Sequence, residues 1–200
     1  MIASGQPFDT TLTSDERLAE RARSGNGAAF AALVARHDDA VYVIARNMCA
    51  TARDAEEVVR QAFLSAWRDL KSLPAGARFR TWLYRIAMDT ALMRRRRDLH
   101  SRSSPLEVFL PRFDRSRSLV KSKGRWPELD GSSPERPEVS GLLREGLESI
   151  DDRTRAGFVL LDLLEAPLEE AAVILKTSPW AVQRDAHRAR LMLRGFIDGL

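Results

Sequence analysis

An all-α protein made of two small helical domains joined by a long linker is predicted by three observations. Apolar residues recur at three- and four-residue spacing through most of 15–97 and 142–197. No run alternates β-branched and polar residues between hairpin turns. From Leu99 to Ser140 the period disappears, and five prolines (Pro105, Pro111, Pro127, Pro134 and Pro137) fall among many Ser and Arg residues. The expected boundaries are 14–98 for the first domain, 99–140 for the linker and 141–197 for the second domain.

Asp15–Arg23 reads as a short helix behind a Ser14 or Thr13 cap. Asn26 can cap the next helix, whose stripe is Phe30, Leu33, Val34, His37, Val41, Ile44, Ala45 and Met48. His37 lies within that stripe and is expected as a packed boundary residue. Asp54 can cap a third helix, with Ala55, Val58, Val59, Ala62, Phe63, Ala66 and Leu70 buried. Leu73–Ala77, holding Pro74 and Gly76, breaks the chain before a helix over Phe79–Arg97. After the linker, short helices are expected over Leu142–Ser149 and Leu168–Leu175, with a longer one over Arg153–Leu164. Pro167 suits the first turn of the Leu168 helix. Ser178-Pro179, a cap followed by proline at the first helical position, starts a final helix to about Phe196.

Composition narrows the function. An apolar fraction of 44% supports packed cores, and 30% charged residues suits a soluble, cytoplasmic protein. No apolar run approaches the ~20 residues that a membrane helix needs, and the N-terminus lacks the basic and apolar regions of a signal peptide. Cys49 is the only cysteine, so an intramolecular disulfide and a multi-cysteine metal site are excluded. It falls in an apolar helical pattern and is expected to be a small buried hydrophobe. His37, His100 and His187 are dispersed, no glycine-rich phosphate loop is present, and Glu56-Glu57 suits a partner-binding surface better than acid–base chemistry. No catalytic residue, metal or cofactor is expected.

The charge is uneven. Arg94–Trp126 holds eleven Lys or Arg against three acidic residues, a net of +8 in a chain whose total is +4, so the remainder is acidic. This concentration suits a nucleic-acid backbone or a solvated linker. Beside it, RFRTWLYRIAMDTALMRRRR (Arg78–Arg97) combines an apolar face (Phe79, Leu83, Ile86, Ala87, Thr90) with Arg80, Tyr84, Arg85 and Arg94–Arg97, expected largely off that face. Aromatics, polar groups and cations are what single-strand capture requires. In the second half, two helices joined by a tight connection match a helix-turn-helix. Val182, Ala186, Ala189 and Leu193 form one face of the last helix; Trp180, Gln183, Arg184, His187 and Arg188 cluster opposite, with the chemistry of phosphate and base-edge contact.

Taken together, Ala29–Arg46 (AFAALVARHDDAVYVIAR), Asp54–Trp67 (DAEEVVRQAFLSAW), Phe79–Ala91 (FRTWLYRIAMDTA) and Arg155–Arg190, which closes in HRAR, resemble the extracytoplasmic-function (ECF) group of the sigma-70 family. The resemblance implies a region 2 bundle followed by a region 4 helix-turn-helix. It implies a factor that binds core RNA polymerase through its β′ clamp and β flap, directs it to promoter DNA and is held by an anti-sigma factor, without entering a membrane and without chemistry of its own. Carried onto this sequence, the polymerase-binding residues would be Asp54, Glu56, Glu57, Arg60 and Gln61. The opened −10 element would meet Arg80, Tyr84, Arg85, Met88, Asp89, Arg94, Arg95 and Arg96. The −35 duplex would meet Ser178, Trp180, Gln183, Arg184, His187 and Arg188.

The chain departs from the family pattern at several of these positions. Glu57, Arg60 and Gln61 stand where Asp, Gln and Glu are usual, which makes the clamp-facing surface less acidic. Asp89 replaces an Asn. Gln183 and Asp185 occupy commonly basic positions, Arg184 and Trp180 replace small residues, and Glu165 and Lys176 stand where glycines are frequent, so the loops are expected to differ. Asp185 is expected at the edge of the DNA-facing surface. These departures motivate an alternative: a divergent sigma-like regulator that binds an anti-sigma factor or polymerase with little −35 reading. A conventional helix-turn-helix repressor or activator is a weaker third reading, since it has no need of a TWLYRI-like segment.

Overall fold

Side-chain caps start the helices where the polar punctuation of the sequence stands. Ser14 Oγ accepts from the Arg17 amide and begins α1 (Asp15–Arg23), and Asn26 Oδ1 accepts from the Ala29 amide at 3.0 Å to begin α2 (Gly27–Met48). Between them Gly25, at φ 91°, supplies the left-handed turn. The third helix is capped by Thr51, not by Asp54. Thr51 Oγ1 accepts from the Asp54 amide at 3.1 Å, which places Asp54 inside the first turn of α3 (Ala52–Asp69) with its carboxylate accepting a hydrogen bond from the Thr51 hydroxyl at 2.7 Å. A 3₁₀ turn, Leu70–Ser72, leads to the break before α4 (Phe79–Leu99).

The computed structural model describes residues 14–99 and 144–198, and every regular element among them is helical. The linker expected at 99–140 therefore lies almost entirely outside the described residues. The second half has α5 (144–148), α6 (Asp152–Phe158), α7 (Leu168–Ile174) and α8 (Pro179–Asp198). Asp151 caps α6 through the Thr154 amide at 3.0 Å, and the helix expected to continue to Leu164 widens into a π turn over Val159–Leu163. Glu165 and Lys176 adopt φ of 49° and 53°. The two loops thus keep the left-handed backbone that glycine would favour, at a steric cost of about 1 kcal/mol each.

Two helical groups result, and they pack directly on one another. The main core joins Leu18, Leu33, Val41, Ile44, Val58, Phe79, Leu83 and Met88 of the first half to Val159, Leu160, Ala171, Ile174 and Val182 of the second. A smaller cluster within the second half holds Leu147, Ile150, Phe158, Ala189, Met192 and Leu193. α4 lies at the centre, packed against α1, α2, α3 and α7. The expectation for His37 is met: it is buried, its ring lies 5.7 Å from Phe79 and 5.8 Å from Tyr84, and Nε2 sits 2.8 Å from Asp15 Oδ2. Cys49 is buried as expected.

Two consequences for stability are measurable. Asp15 clips α1 to α2 through Arg36 at 2.7 Å and His37. Burial raises its pKa, but the Arg36 and His37 hydrogen bonds outweigh that and leave it below the ordinary value. A depressed carboxyl stabilises the fold above its unfolded pKa, and that contribution is lost as pH falls through the folded value. Asp15→Asn should therefore lower the melting temperature at pH 7, by the equivalent of about 1 kcal/mol for a partly exposed pair, and the difference should shrink as pH falls below the ordinary carboxylate range, through the lowered pKa of Asp15. In the second half, a Cβ on Gly157 would meet the Ala186 nitrogen at 3.3 Å and the Val182 oxygen at 3.4 Å, both backbone atoms of α8. Despite alanine's better helix propensity, Gly157→Ala should cost about 1 kcal/mol net in denaturant titrations.

Candidate functional site

Three surfaces carry the residues expected from sequence. On α3, Glu56 and Arg60 are exposed, while Asp54, Glu57 and Gln61 are half-buried. The residues that depart from the family pattern are bonded to one another. Arg60 donates to Glu57 through Nε at 3.0 Å and Nη2 at 2.6 Å, and Gln61 donates to Glu57 Oε1 at 3.0 Å. Those hydrogen bonds, Arg60 first, draw the Glu57 pKa down to about 2, so it is an anion at any physiological pH. Asp54 is paired with Arg94 of α4, which joins the expected polymerase-facing and DNA-facing residues into one charged patch.

The α4 surface corrects several expectations. Tyr84, expected off the core face, is 8% exposed, and Met88 and Arg95 are buried as well. The physical reason is a second stripe: Tyr84, Met88, Ala91 and Arg95 follow one another at four- and three-residue spacing and pack inward beside the Phe79–Leu83–Ala87 stripe. Burial also raises the Tyr84 pKa, so its hydroxyl is neutral. Arg85 is half-buried and Arg96 exposed. Three of the expected −10 residues are engaged by the second half. Arg80 donates to Glu170 through Nε at 3.0 Å and also through Nη2, and Thr81 Oγ1 donates to Glu170 at 2.9 Å. Arg95 donates to Asp152, and Lys176 Nζ lies 2.9 Å from Asp89 Oδ2. Burial raises the Glu170 carboxyl, but the Arg80 and Thr81 hydrogen bonds hold it below its ordinary pKa. Asp89 and Lys176, two departures from the family pattern, are thus partners of opposite charge.

The α8 surface matches its expectation closely. Ser178, Trp180, Gln183, Arg184, His187 and Arg188 are all exposed, and Val182, Ala186, Ala189 and Leu193 are buried behind them. Ser178 Oγ accepts from the Ala181 amide at 3.3 Å, and Trp180 is 67% exposed. Arg184 Cζ stands 5.1 Å from the Trp180 ring centre, within cation–π range. Asp185 is the correction here. It is not at the edge of the exposed face but buried at 5% exposure, with Arg153 and Arg184 donating to it. Its place in the register, three residues after Val182 and four before Ala189, assigns it to the inward stripe. Sequence reasoning also missed Arg153, on α6, which reaches the α7–α8 turn by donating to Thr177 Oγ1 at 2.8 Å. No local signal marks it, because its partners are 24 and 32 residues away.

Buried Arg155 ties the halves together at the base of this arrangement. It donates to the Leu147 carbonyl and, at 3.4 Å, to the Asn47 carbonyl at the end of α2; burial pulls its pKa down to about 9. Among the described residues there is no group of three or more His, Cys, Asp or Glu placed to hold a metal ion, and no helix long and apolar enough to cross a membrane.

Residues 33–100 match the family model for sigma-70 region 2, which spans α3, α4 and most of α2. Over 94% of its length the chain is 30% identical to the RNA polymerase sigma factor NccH of Alcaligenes xylosoxydans xylosoxydans, covering 97% of that protein. It is also 30% identical to the ECF RNA polymerase sigma-E factor of Escherichia coli K12, over 88% of this chain and 91% of that one. Among solved structures, CnrH in complex with the cytosolic domain of CnrY is similar, with a TM-score of 0.65 at 28% identity over 93% of this chain and 98% of that one. The CnrH of Cupriavidus metallidurans is itself an RNA polymerase sigma factor, 30% identical over 92% of this chain and 95% of its own. On these matches, and on the order of helices that carries them, the chain belongs to the ECF group of sigma-70 family RNA polymerase sigma factors.

Proposed function

We propose that this sigma factor divides promoter recognition among the three surfaces described. The exposed side of α3, with Asp54, Glu56, Glu57, Arg60 and Gln61, engages core polymerase. The strip of α4 carrying Arg85, Arg94 and Arg96 meets the opened −10 element, with Arg80, Tyr84, Met88, Asp89 and Arg95 reached only when the second half moves aside. The face of α8 from Ser178 to Arg188 reads the −35 duplex. The domain division behind this reading is 14–98 and 141–197.

The observation that carries the reading is the face of α8. Six residues with phosphate- and base-contacting chemistry are exposed together on the second helix of a helix-turn-helix, with the apolar residues of the same helix buried behind them. One departure that favoured the alternative of a regulator with little −35 reading loses its force: Asp185 is buried and paired rather than set against phosphates. Regulation by an anti-sigma factor fits this reading, because the similar CnrH was solved bound to the cytosolic domain of CnrY. A site of action in the cytoplasm follows from work with the polymerase, and catalysis is left to that enzyme.

The test is reconstituted initiation. Full-length protein added to core polymerase should start transcription from a promoter selected out of a random library. Arg188→Ala should weaken promoter binding by about 1 kcal/mol, roughly fivefold, without changing affinity for core. Glu56→Lys should do the reverse, lowering core affinity in an anisotropy titration while leaving promoter preference intact. Absence of both core binding and initiation across several salt concentrations would sink the proposal.

A further inference from the structure

Asp185 organises two cations from different helices. Its Oδ2 accepts from Arg153 Nε of α6 at 2.8 Å, and its Oδ1 accepts from Arg184 Nε at 2.9 Å and Nη2 at 2.6 Å. The carboxylate is 7% exposed, whereas the Arg153 and Arg184 side chains are 58% and 51% exposed. One buried anion therefore fixes one edge of each guanidinium and leaves the rest of each facing solvent. Trp180 stacks on Arg184 and Thr177 accepts from Arg153, so both long side chains are held at two points. Phosphate recognition benefits from such fixing, because a pre-oriented fork loses less rotamer freedom per hydrogen bond formed.

We propose that Asp185 is a positioning residue for duplex recognition, and that Arg153 is a further phosphate contact held by it beside the α8 face. This rests on the reading of α8 as the −35 surface. A carboxylate at this position thus promotes DNA binding although its charge opposes it, which gives the test an unusual sign. Asp185→Asn raises the net charge by one, so long-range attraction alone predicts tighter binding. Positioning predicts weaker binding, by about fivefold for a lost phosphate contact.

Binding of holoenzyme to a library-selected promoter duplex should be measured against salt concentration. Arg153→Gln should weaken binding evenly across sequences and reduce the slope of log affinity against log salt by about 1. A purely structural role would lower the melting temperature without moving that slope. Tighter binding by Asp185→Asn, or an unchanged slope for Arg153→Gln, overturns the proposal while leaving the −35 reading intact. If the wild-type holoenzyme is insensitive to the −35 sequence, the reading of α8 falls and this proposal with it.

Discussion

Phe79, Leu83, Ala87 and Met88 have no measurable exposure, and they hold α4 at the centre of the molecule with helices from both halves packed around it. Most other features follow from that enclosure. A helix buried on several sides needs apolar residues on more than one stripe, so the polar groups beside those stripes must be placed. Arg80, Asp89, Arg94 and Arg95 each meet an oppositely charged partner, Glu170, Lys176, Asp54 and Asp152. Unpaired charges at such partly buried positions would be costly, which is why these four are paired.

The ion pairs differ in what they contribute. Lys176–Asp89 is about half exposed on both sides and is worth little by itself, although it selects the register in which α7 meets α4. Arg80–Glu170 is a two-point contact with its carboxylate nearly excluded from water, and Thr81 completes it. Removing one partner there leaves a buried group short of hydrogen bonds, so the contact specifies the packing more than it strengthens it. Apolar burial across the shared core provides the driving force, and the charges decide where it is applied.

In the second half the same logic works on a smaller scale. Gly157 lets α6 approach the backbone of α8, and that approach brings Arg153 within reach of Asp185 and Thr177. A packing requirement and a functional surface thus share one feature. Glu165 and Lys176 keep left-handed backbone without glycine, so the turns around α7 retain their shape, and at Lys176 the side chain that replaces glycine takes on an inter-half contact.

Residue pattern alone determined the all-helical class, the order and nearly all limits of the described helices, the buried stripe of α2 with His37 in it, and the exposed face of α8. Each depends on spacing within one helix, which the chain carries locally. Family membership was legible for the same reason, since its motifs are short contiguous runs. Thr51 rather than Asp54 as a cap lay one turn away and was a local misreading, as was Asp185, whose register already placed it inward. Tyr84 and Arg95 could not be placed in this way, because a second buried stripe on α4 has meaning only once its partners are known, His37 of α2 beside Tyr84 and Asp152 of α6 on Arg95. The partners of Arg80, Arg95 and Asp89 lie 90, 57 and 87 residues along the chain. No spacing rule reaches that far, so only the tertiary structure decided which charges meet, and with them which DNA-facing groups are open and which are held.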